Sequence, residues 1–407
     1  MSFKSLFWVL PFLAILASCF PLTGSAQDDK SKSSQPLKVF LLVGQSNMQG
    51  HARHHTLAHV NLDAKTKPIF ETLVNKDNSP KTFDKVWINS LNSGKTKVGN
   101  LTVGFGADDE KIGPELAFGA YMQQMVNEPI LIVKTAWGGK SINTDFRPPS
   151  AGQYVFRDNQ IERFKKREKD IEQLKAKKKE ATGKYYRLMI EHTKTVLADI
   201  KSTYPDYDAE NGYELAGLVW FQGWNDMVDS GFYPDRGKSG GYDEYSKLLA
   251  HFIRDVRKDL NAPELPFVIG VLGVGGPTDK YGKDQERIKS THQNFRDAMA
   301  APANLPEFKG NVAAVLTENS WDLELTALQS RREKIQNEVR KAKKEQQLER
   351  EALKEFRKKL EKEEFSKEEL AIIEKGISNQ AYHYLGSAKI MTQIGKSFAE
   401  AMHELQK

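Results

Sequence analysis

The sequence predicts an α/β fold, in which a sheet of mainly parallel strands is covered by helices on both faces. Three observations predict it. Five short apolar runs recur along the chain, at 37–43, 129–134, 215–221, 266–272 and 312–316. Each is nearly continuous in apolar residues rather than alternating, as a strand buried on both faces requires. Helix-length segments separate them, among them 114–126, 242–260 and 285–299. In such a sheet ligands bind at the carboxyl ends of the strands, so residues at strand exits are the candidates for chemistry.

The chain opens with residues 1–26, which carry one charge, Lys4, an apolar run at 6–16, and the small residues Gly24, Ser25 and Ala26. This is the composition of a signal peptide cut after Ala26, and the expectation is an exported protein, periplasmic or extracellular. The apolar run is too short, and too interrupted by Pro11, to span a bilayer. Leu16-Ala17-Ser18-Cys19 also reads as a lipoprotein box, in which Cys19 would be lipidated; membrane attachment enters only by that route. Cys19 is the single cysteine, so either cut leaves a body without a disulfide.

Residues 27–36 read as a polar linker, and 37–407 as one domain. A hydrophobic content of 39% is ample for a large core. The net charge of +6 is small for 407 residues and does not imply nucleic acid.

Two segments, within insertions at about 155–200 and 327–375, break the alternation of strand and helix. Residues 159–180 are strongly charged, with Ile161, Phe164, Ile171 and Leu174 as a thin apolar stripe. Residues 331–365 hold thirteen basic and nine acidic side chains, with Ile335, Val339, Ala342, Leu353, Phe356 and Leu360 at helical spacing. Neither contains proline or glycine, so each is predicted as one long helix, the two pairing as a solvated hairpin with coiled-coil character. The mixed signs at i,i+4 spacing speak against a nucleic-acid arm. Residues 386–405 place Ala388, Met391, Ile394, Phe398 and Met402 on one helical face, predicting a helix that closes the sheet.

The first strand exits into Gly44-Gln45-Ser46-Asn47-Met48-Gln49-Gly50. A serine in a tight turn at the end of a buried strand can lift its hydroxyl into solvent, while the turn's N–H groups face a developing oxyanion. Spacing alone fits a capping serine equally well, and Met48 rules out the G-x-S-x-G elbow.

The octapeptide Val43-Gly44-Gln45-Ser46-Asn47-Met48-Gln49-Gly50 closely resembles the first block of the sialate O-acetylesterase-like (SASA) branch of the SGNH hydrolases. Further blocks follow in the family's order. Ile112-Gly113-Pro114-Glu115-Leu116 resembles its GPE segment, and Ala136-Trp137-Gly138-Gly139-Lys140-Ser141 its second block. Trp220-Phe221-Gln222-Gly223-Trp224-Asn225-Asp226 resembles the third, and His383-Tyr384-Leu385-Gly386 the histidine block. The resemblance covers about 37–145, 215–325 and 376–405, leaving the charged helices as insertions.

The resemblance implies a three-layer α/β/α sandwich with a flavodoxin-like parallel sheet, and a serine esterase that removes O-acetyl groups from carbohydrate. Ser46 is then the nucleophile and His383 the base. The Ser46 N–H, Gly138 or Gly139, and Asn225 form the oxyanion hole, with Gln45, Gln222 and Trp224 as substrate-binding residues. Acetylated carbohydrate is the expected partner; no cofactor and no metal are implied.

Two departures stand out. The carbohydrate-esterase branch usually has Glu where this chain has Trp224, although Gly223-Trp224-Asn225-Asp226 fits the broader G-x-N-D pattern. The family usually places an aspartate three residues before its histidine, where this chain has Gln380 with Asn379 beside it. A neutral amide orients an imidazole without stabilising the imidazolium by charge. Either the acid comes from Asp226, Glu318 or Asp322, or the enzyme works as a slow Ser-His dyad.

Other signals are weaker. Gly139-Lys140-Ser141 looks like the end of a P-loop, but Lys134 occupies the required glycine position. His51, His54 and His55 lack the partners of a metal site and are expected in the cleft or a solvated loop. Trp137, Trp224, Trp321, Tyr382 and Tyr384 fall near the site, either as core or as faces for sugar rings. The rival reading from another class is a catalytically weak glycan-binding protein. A third makes the charged helices an assembly or surface-tethering element.

Overall fold

The computed structural model describes residues 35–92, 94–283 and 285–407. The signal, Cys19 and nearly all of the linker predicted from the sequence lie outside the described residues. The strands are β1 (Leu37–Gly44), β2 (Ala52–Arg53), β3 (Phe83–Asn92), β4 (Lys95–Leu101), β5 (Lys111–Ile112), β6 (Ile130–Ala136), β7 (Tyr213–Phe221), β8 (Phe267–Val271) and β9 (Val312–Leu316). The main sheet has seven strands in the order β4-β3-β6-β1-β7-β8-β9, and β2 pairs with β5 in a small second sheet. All five predicted strands are present and lie side by side in parallel.

The sequence reading missed the hairpin β3–β4. β3 adds a further parallel strand beside β6, and β4 lies antiparallel at the edge. Strand β4 begins Lys95-Thr96-Lys97 and is largely exposed, so it shows no apolar run. β3 opens with the exposed Asp84 and Lys85 and becomes apolar only where it passes β6.

Consecutive strand residues point to opposite faces, and β7 shows what covers each. Phe221 meets Phe398 of the helix Ala388–Glu404, with ring centroids 5.3 Å apart. Its neighbour Trp220 meets Phe252 of the helix Asp243–Asp259 at 4.4 Å. The helix Glu115–Val126 packs with 388–404 on the first face, where Phe118 reaches Phe40 at 5.6 Å. On the second face Tyr186 of the helix Lys184–Ala198 reaches Phe252 at 5.6 Å. The result is the α/β/α sandwich expected.

The charged segments depart from the prediction. The first is two helices, Asp158–Lys166 and Ile171–Ala181, separated by a turn in which Glu168 has φ 50°. The second comprises Leu323–Gln346 and Arg350–Glu364, with Gln347 left-handed between them. No glycine or proline breaks either one. In the second segment the two apolar stripes fold onto each other instead, around Leu328, Ile335, Phe365 and Ile373. Arg331 ties the hairpin ends together through Glu364 and Glu369. The pairing is therefore within this segment, not with 159–180 as the sequence suggested.

β1 is where the strand order reverses, with β6 on one side and β7 on the other. Gly44 is in register with Ala136 of β6 and Phe221 of β7, so the three strands end level. Their next residues emerge together, and crevices at such switch points are where α/β sheets bind ligands.

Candidate active site

Gly44 ends β1 against β7 so closely that a Cβ there would lie 2.2 Å from Phe221 O. This approach turns the chain into the four-residue helix Ser46–Gln49, with Ser46 first. Beneath it, Lys134 of β6 is fully buried and donates to Gln49 O at 2.9 Å, Phe105 O at 2.8 Å and Glu115 Oε2 at 2.7 Å. Glu115 also accepts the Gly113 N–H at 2.8 Å. The GPE glutamate and a strand lysine thus form a buried ion pair that holds the end of the Ser46 turn. Burial lowers the pKa of Lys134, opposed by the Glu115 carboxylate.

The loop after β6 passes beside Ser46. A Cβ on Gly138 would lie 4.0 Å from Ser46 Cβ, and Gly139, with φ 72°, is left-handed with open space around it. Among the described residues neither glycine's N–H has a hydrogen-bond acceptor. Ser46, as a first-turn residue, leaves its own N–H without an intrahelical partner. Asn225 sits half-buried after β7, and its side-chain amide likewise has no partner among the described residues. These are the donors an oxyanion needs.

Asp226 does not stand by His383. It is fully buried and accepts from Ile142 N at 2.8 Å, Asn143 N at 3.0 Å, Gln222 Nε2 at 2.7 Å and Tyr233 OH at 3.2 Å. It latches the loop that carries Gly138 and Gly139. Burial pushes its carboxyl up to about 7, against four hydrogen bonds that favour the ionised form. Glu318 is bound to Arg296. Asp322 caps the helix 323–346 through Leu325 N at 2.9 Å and pairs with Lys389 at 2.9 Å. None of the three carboxylates expected as the acid is hydrogen bonded to His383.

That place belongs to Asn379. His383 Nδ1 lies 3.1 Å from Asn379 Oδ1, and the same oxygen accepts the Gln380 N–H at 2.8 Å. An atom that accepts from a backbone N–H is the amide oxygen, so Nδ1 must donate to it and Nε2 carries the lone pair. The histidine loop is wound tightly, with Tyr384, Leu385 and Gly386 successively left-handed at φ 52°, 59° and 57°. The buried Tyr384 hydroxyl anchors it, accepting from Gly273 N at 2.8 Å and sharing a hydrogen with Thr317 at 2.7 Å. Strain of this kind, about 1–2 kcal/mol per non-glycine residue, persists where surrounding structure over-determines it.

The His383 loop packs against the Ser46 turn. His51, just past that turn, stacks on His383 with centroids 4.0 Å apart and planes 3° from parallel. Burial, then the Lys111 ammonium, lowers His383 to about 4. No hydrogen bond joins Ser46 Oγ to His383 among the described residues; a base commonly closes on its nucleophile only in the substrate complex.

The two glutamines expected to bind substrate are buried. Gln45 and Gln222 are both 1% exposed. Gln222 Nε2 lies 3.2 Å from Gln45 Oε1 and 3.0 Å from Lys140 O, so the pair is engaged in bracing the strand ends. Of the aromatic residues, Trp137, Trp321 and Tyr384 are buried packing. Tyr382 is exposed, and the half-buried Trp224 packs between it and the core, the two rings 5.7 Å apart. His54 and His55 lie on the short turn after β2, away from this stack. Among the described residues no three His, Cys, Asp or Glu side chains are grouped to hold a metal ion, and no helix is long and apolar enough to cross a membrane.

The model of the SASA family, described as carbohydrate esterase, sialic acid-specific acetylesterase, matches residues 36–305. No curated protein matches the chain significantly. Among solved structures, the chain is similar to a protein from Arabidopsis thaliana, at 18% identity over 69% of this chain and 86% of that one, with a TM-score of 0.38. It is also similar to a carbohydrate acetylesterase from Xanthomonas citri, at 15% identity over 70% of this chain and 50% of that one, with a TM-score of 0.40.

Proposed function

Because the chain belongs to the SASA family of carbohydrate esterases and is a carboxylic ester hydrolase, we propose that it is exported and removes O-acetyl groups from a glycan through an acetyl-Ser46 intermediate. The observation that carries the mechanism is the meeting of the Ser46 turn, the Gly138 loop and the His383 loop at the level ends of β1, β6 and β7. Ser46 Oγ attacks the acetyl carbonyl while His383 Nε2 takes its proton. The oxyanion is held by the N–H groups of Ser46 and of Gly138 or Gly139, and by the Asn225 amide. His383 passes the proton to the departing sugar oxygen. It then deprotonates a water that attacks the acetyl-serine, releasing acetate and restoring Ser46.

Asn379 supports the tautomer that this cycle requires, but without the charge of a carboxylate. That observation also favours the second reading, a glycan-binding protein with little turnover. Export rests on the signal features of residues 1–26.

One experiment separates the two readings. The protein lacking residues 1–26 is assayed for hydrolysis of 4-nitrophenyl acetate beside its Ser46→Ala variant. Turnover that Ser46→Ala abolishes supports the esterase; equal rates in both proteins reject Ser46 as nucleophile and leave the binding reading.

A further inference from the structure

Two hydroxyls tie the segment that follows the Ser46 turn to the loop that carries His383. Ser378 Oγ accepts the Arg53 N–H at 3.0 Å and donates to Gly386 O at 2.6 Å. The buried Thr56 Oγ1 accepts the Ala388 N–H at 3.0 Å and donates to Arg53 O at 2.7 Å. Each hydroxyl thus donates its one hydrogen and accepts another. The backbone of Arg53 is held at both ends, its N–H by Ser378 and its carbonyl by Thr56.

The two stitches bracket His383. Ser378 and Gly386 stand at the neck of its loop, where Ser378 N and Asn379 N both donate to Leu385 O, at 2.9 and 3.0 Å. Ala388, two residues past Gly386, begins the helix Ala388–Glu404. On the other side Arg53 comes two residues after His51, and the strand Ala52–Arg53 packs against the His383 loop. The face-to-face pair of His51 and His383 therefore sits inside a ring of hydrogen bonds closed by Ser378 and Thr56.

The second insertion brings one of these hydroxyls into place. Its last helix, Lys367–Gly376, packs on residues 54–60. A Cβ on Gly376 would lie 2.6 Å from Leu325 Cδ2 and 3.2 Å from His59 Nδ1, so the helix end comes in as closely as a glycine allows. That approach delivers Ser378, two residues on, to the Arg53 N–H.

We propose that Ser378 and Thr56 are positioning residues: they hold the His383 ring against His51 and beside the Ser46 turn. The proposal rests on the esterase reading above and names residues that act on the reaction only through His383. It also gives the second insertion a part in that reaction, through the helix that sets Ser378.

The test uses Ser378→Ala and Thr56→Val, each removing one hydroxyl at nearly unchanged shape, and Thr56→Ser, which keeps it. For each protein kcat and KM for 4-nitrophenyl acetate are measured, together with the acid limb of kcat/KM. The titration of the His383 Cε1 proton is followed by NMR, assigned with His383→Gln. Lys111 acts on both rings, and Asp108 and Lys134 act on His51; none of these charges is altered.

A misplacement of about 1 Å can cost about 10²-fold in rate. Each hydroxyl deletion is therefore expected to lower kcat by about tenfold or more, with KM within about twofold. Water entering beside the loosened ring raises the acid limb and the NMR midpoint from about 4 toward the ordinary histidine value of about 6.5. Thr56→Ser is expected to restore both. Hydroxyls that only stabilise the fold would lower the denaturation midpoint while leaving kcat per folded molecule and the His383 titration as in wild type; that result overturns the proposal. If Thr56→Val does not fold, Ser378→Ala carries the test, since that side chain is only half-buried. If wild type releases no nitrophenolate, the esterase reading falls. The His383 titration then decides the stitches alone: a raised midpoint supports them and an unchanged one overturns them.

Discussion

His51 lies face to face with His383, 4.0 Å away and 3° from parallel, so the residue following the Ser46–Gly50 turn forms one wall of the His383 pocket. Burial lowers His51 to about 3, with His383 and Lys111 adding to the effect. The stack therefore stays neutral over the range in which an esterase works. It fixes the plane of the catalytic ring while Asn379 fixes its tautomer.

The first prediction concerns pH. The proposed mechanism needs neutral His383, and burial with Lys111 lowers its pKa to about 4. The acid limb of kcat/KM is expected near pH 4, not near the ordinary histidine value of about 6.5. Lys111 acts to lower that pKa, so Lys111→Met raises it and moves the limb to higher pH. The same sign governs stability. A histidine depressed on folding binds its proton more readily in the unfolded chain, so stability falls as pH drops from about 6.5 toward 4. A pH–rate profile and urea midpoints at pH 7 and 5 check both; a limb at 6.5 contradicts the burial argument.

Asn379 supplies the second prediction. Asn379→Asp keeps both hydrogen bonds of the side-chain oxygen and adds a charge beside the imidazolium of the transition state. Hydrogen bonds to charged groups contribute roughly 1.5–3 kcal/mol, so kcat is expected to rise by about 10–100-fold, with the acid limb moving to higher pH. Asn379→Ala frees the ring to take the other tautomer and is expected to lower kcat by about 10²-fold or more. Steady-state kinetics of the two variants decide it, and an inert Asn379→Asp would show that the amide is not the orienting group.

These positions also show what the sequence made legible. The five parallel strands were visible because burial on both faces demands unbroken apolar runs, and the gathering of Ser46, Gly138 and Asn225 at one sheet edge followed from the strand exits they occupy. β4 was hidden by its lysines, which an exposed edge strand tolerates and uses. The reversal at Gln347 carries no glycine or proline signal, because the packing of Leu328, Ile335 and Phe365 decides it. Asn379 was passed over because it lies four residues before His383, one earlier than the family's usual aspartate position, and meets the ring across a turn that no periodicity announces. The pairing of Lys134 with Glu115 was not legible because the two meet only when β6 and the helix 115–126 pack beneath the Ser46 turn.

Asp226 gives the third prediction, which concerns the oxyanion loop. Its oxygens accept from Ile142 N, Asn143 N, Gln222 and Tyr233. Asp226→Asn turns one acceptor into a donor facing donors, leaving a buried N–H unsatisfied at about 1–3 kcal/mol. Loss of about that much stability is expected in denaturant unfolding, with a fall in kcat as Gly138 shifts from Ser46. If Asp226 were instead the triad acid, the variant would lose activity at unchanged stability.

The buried pair beneath the nucleophile makes the last prediction. Lys134 and Glu115 are 1% and 0% exposed in their side chains, and the ammonium spends its three hydrogens on Glu115 Oε2, Gln49 O and Phe105 O. Removing one partner of such a pair leaves an uncompensated buried charge, at a cost of about 3–5 kcal/mol. Lys134→Met is expected to destabilise the fold by about that amount. Adding Glu115→Gln removes the stranded charge while keeping an acceptor for Gly113 N, so the double variant should regain part of the loss. It does not regain the bond to Gln49 O, which ends the Ser46 turn. The double variant is therefore expected to stay below wild type in kcat even where its stability recovers, and denaturant unfolding beside single-turnover acetyl transfer separates the two effects. Full recovery of both would mean that the pair only fills space under the site; recovery of stability alone would assign Lys134 to holding the nucleophile in place.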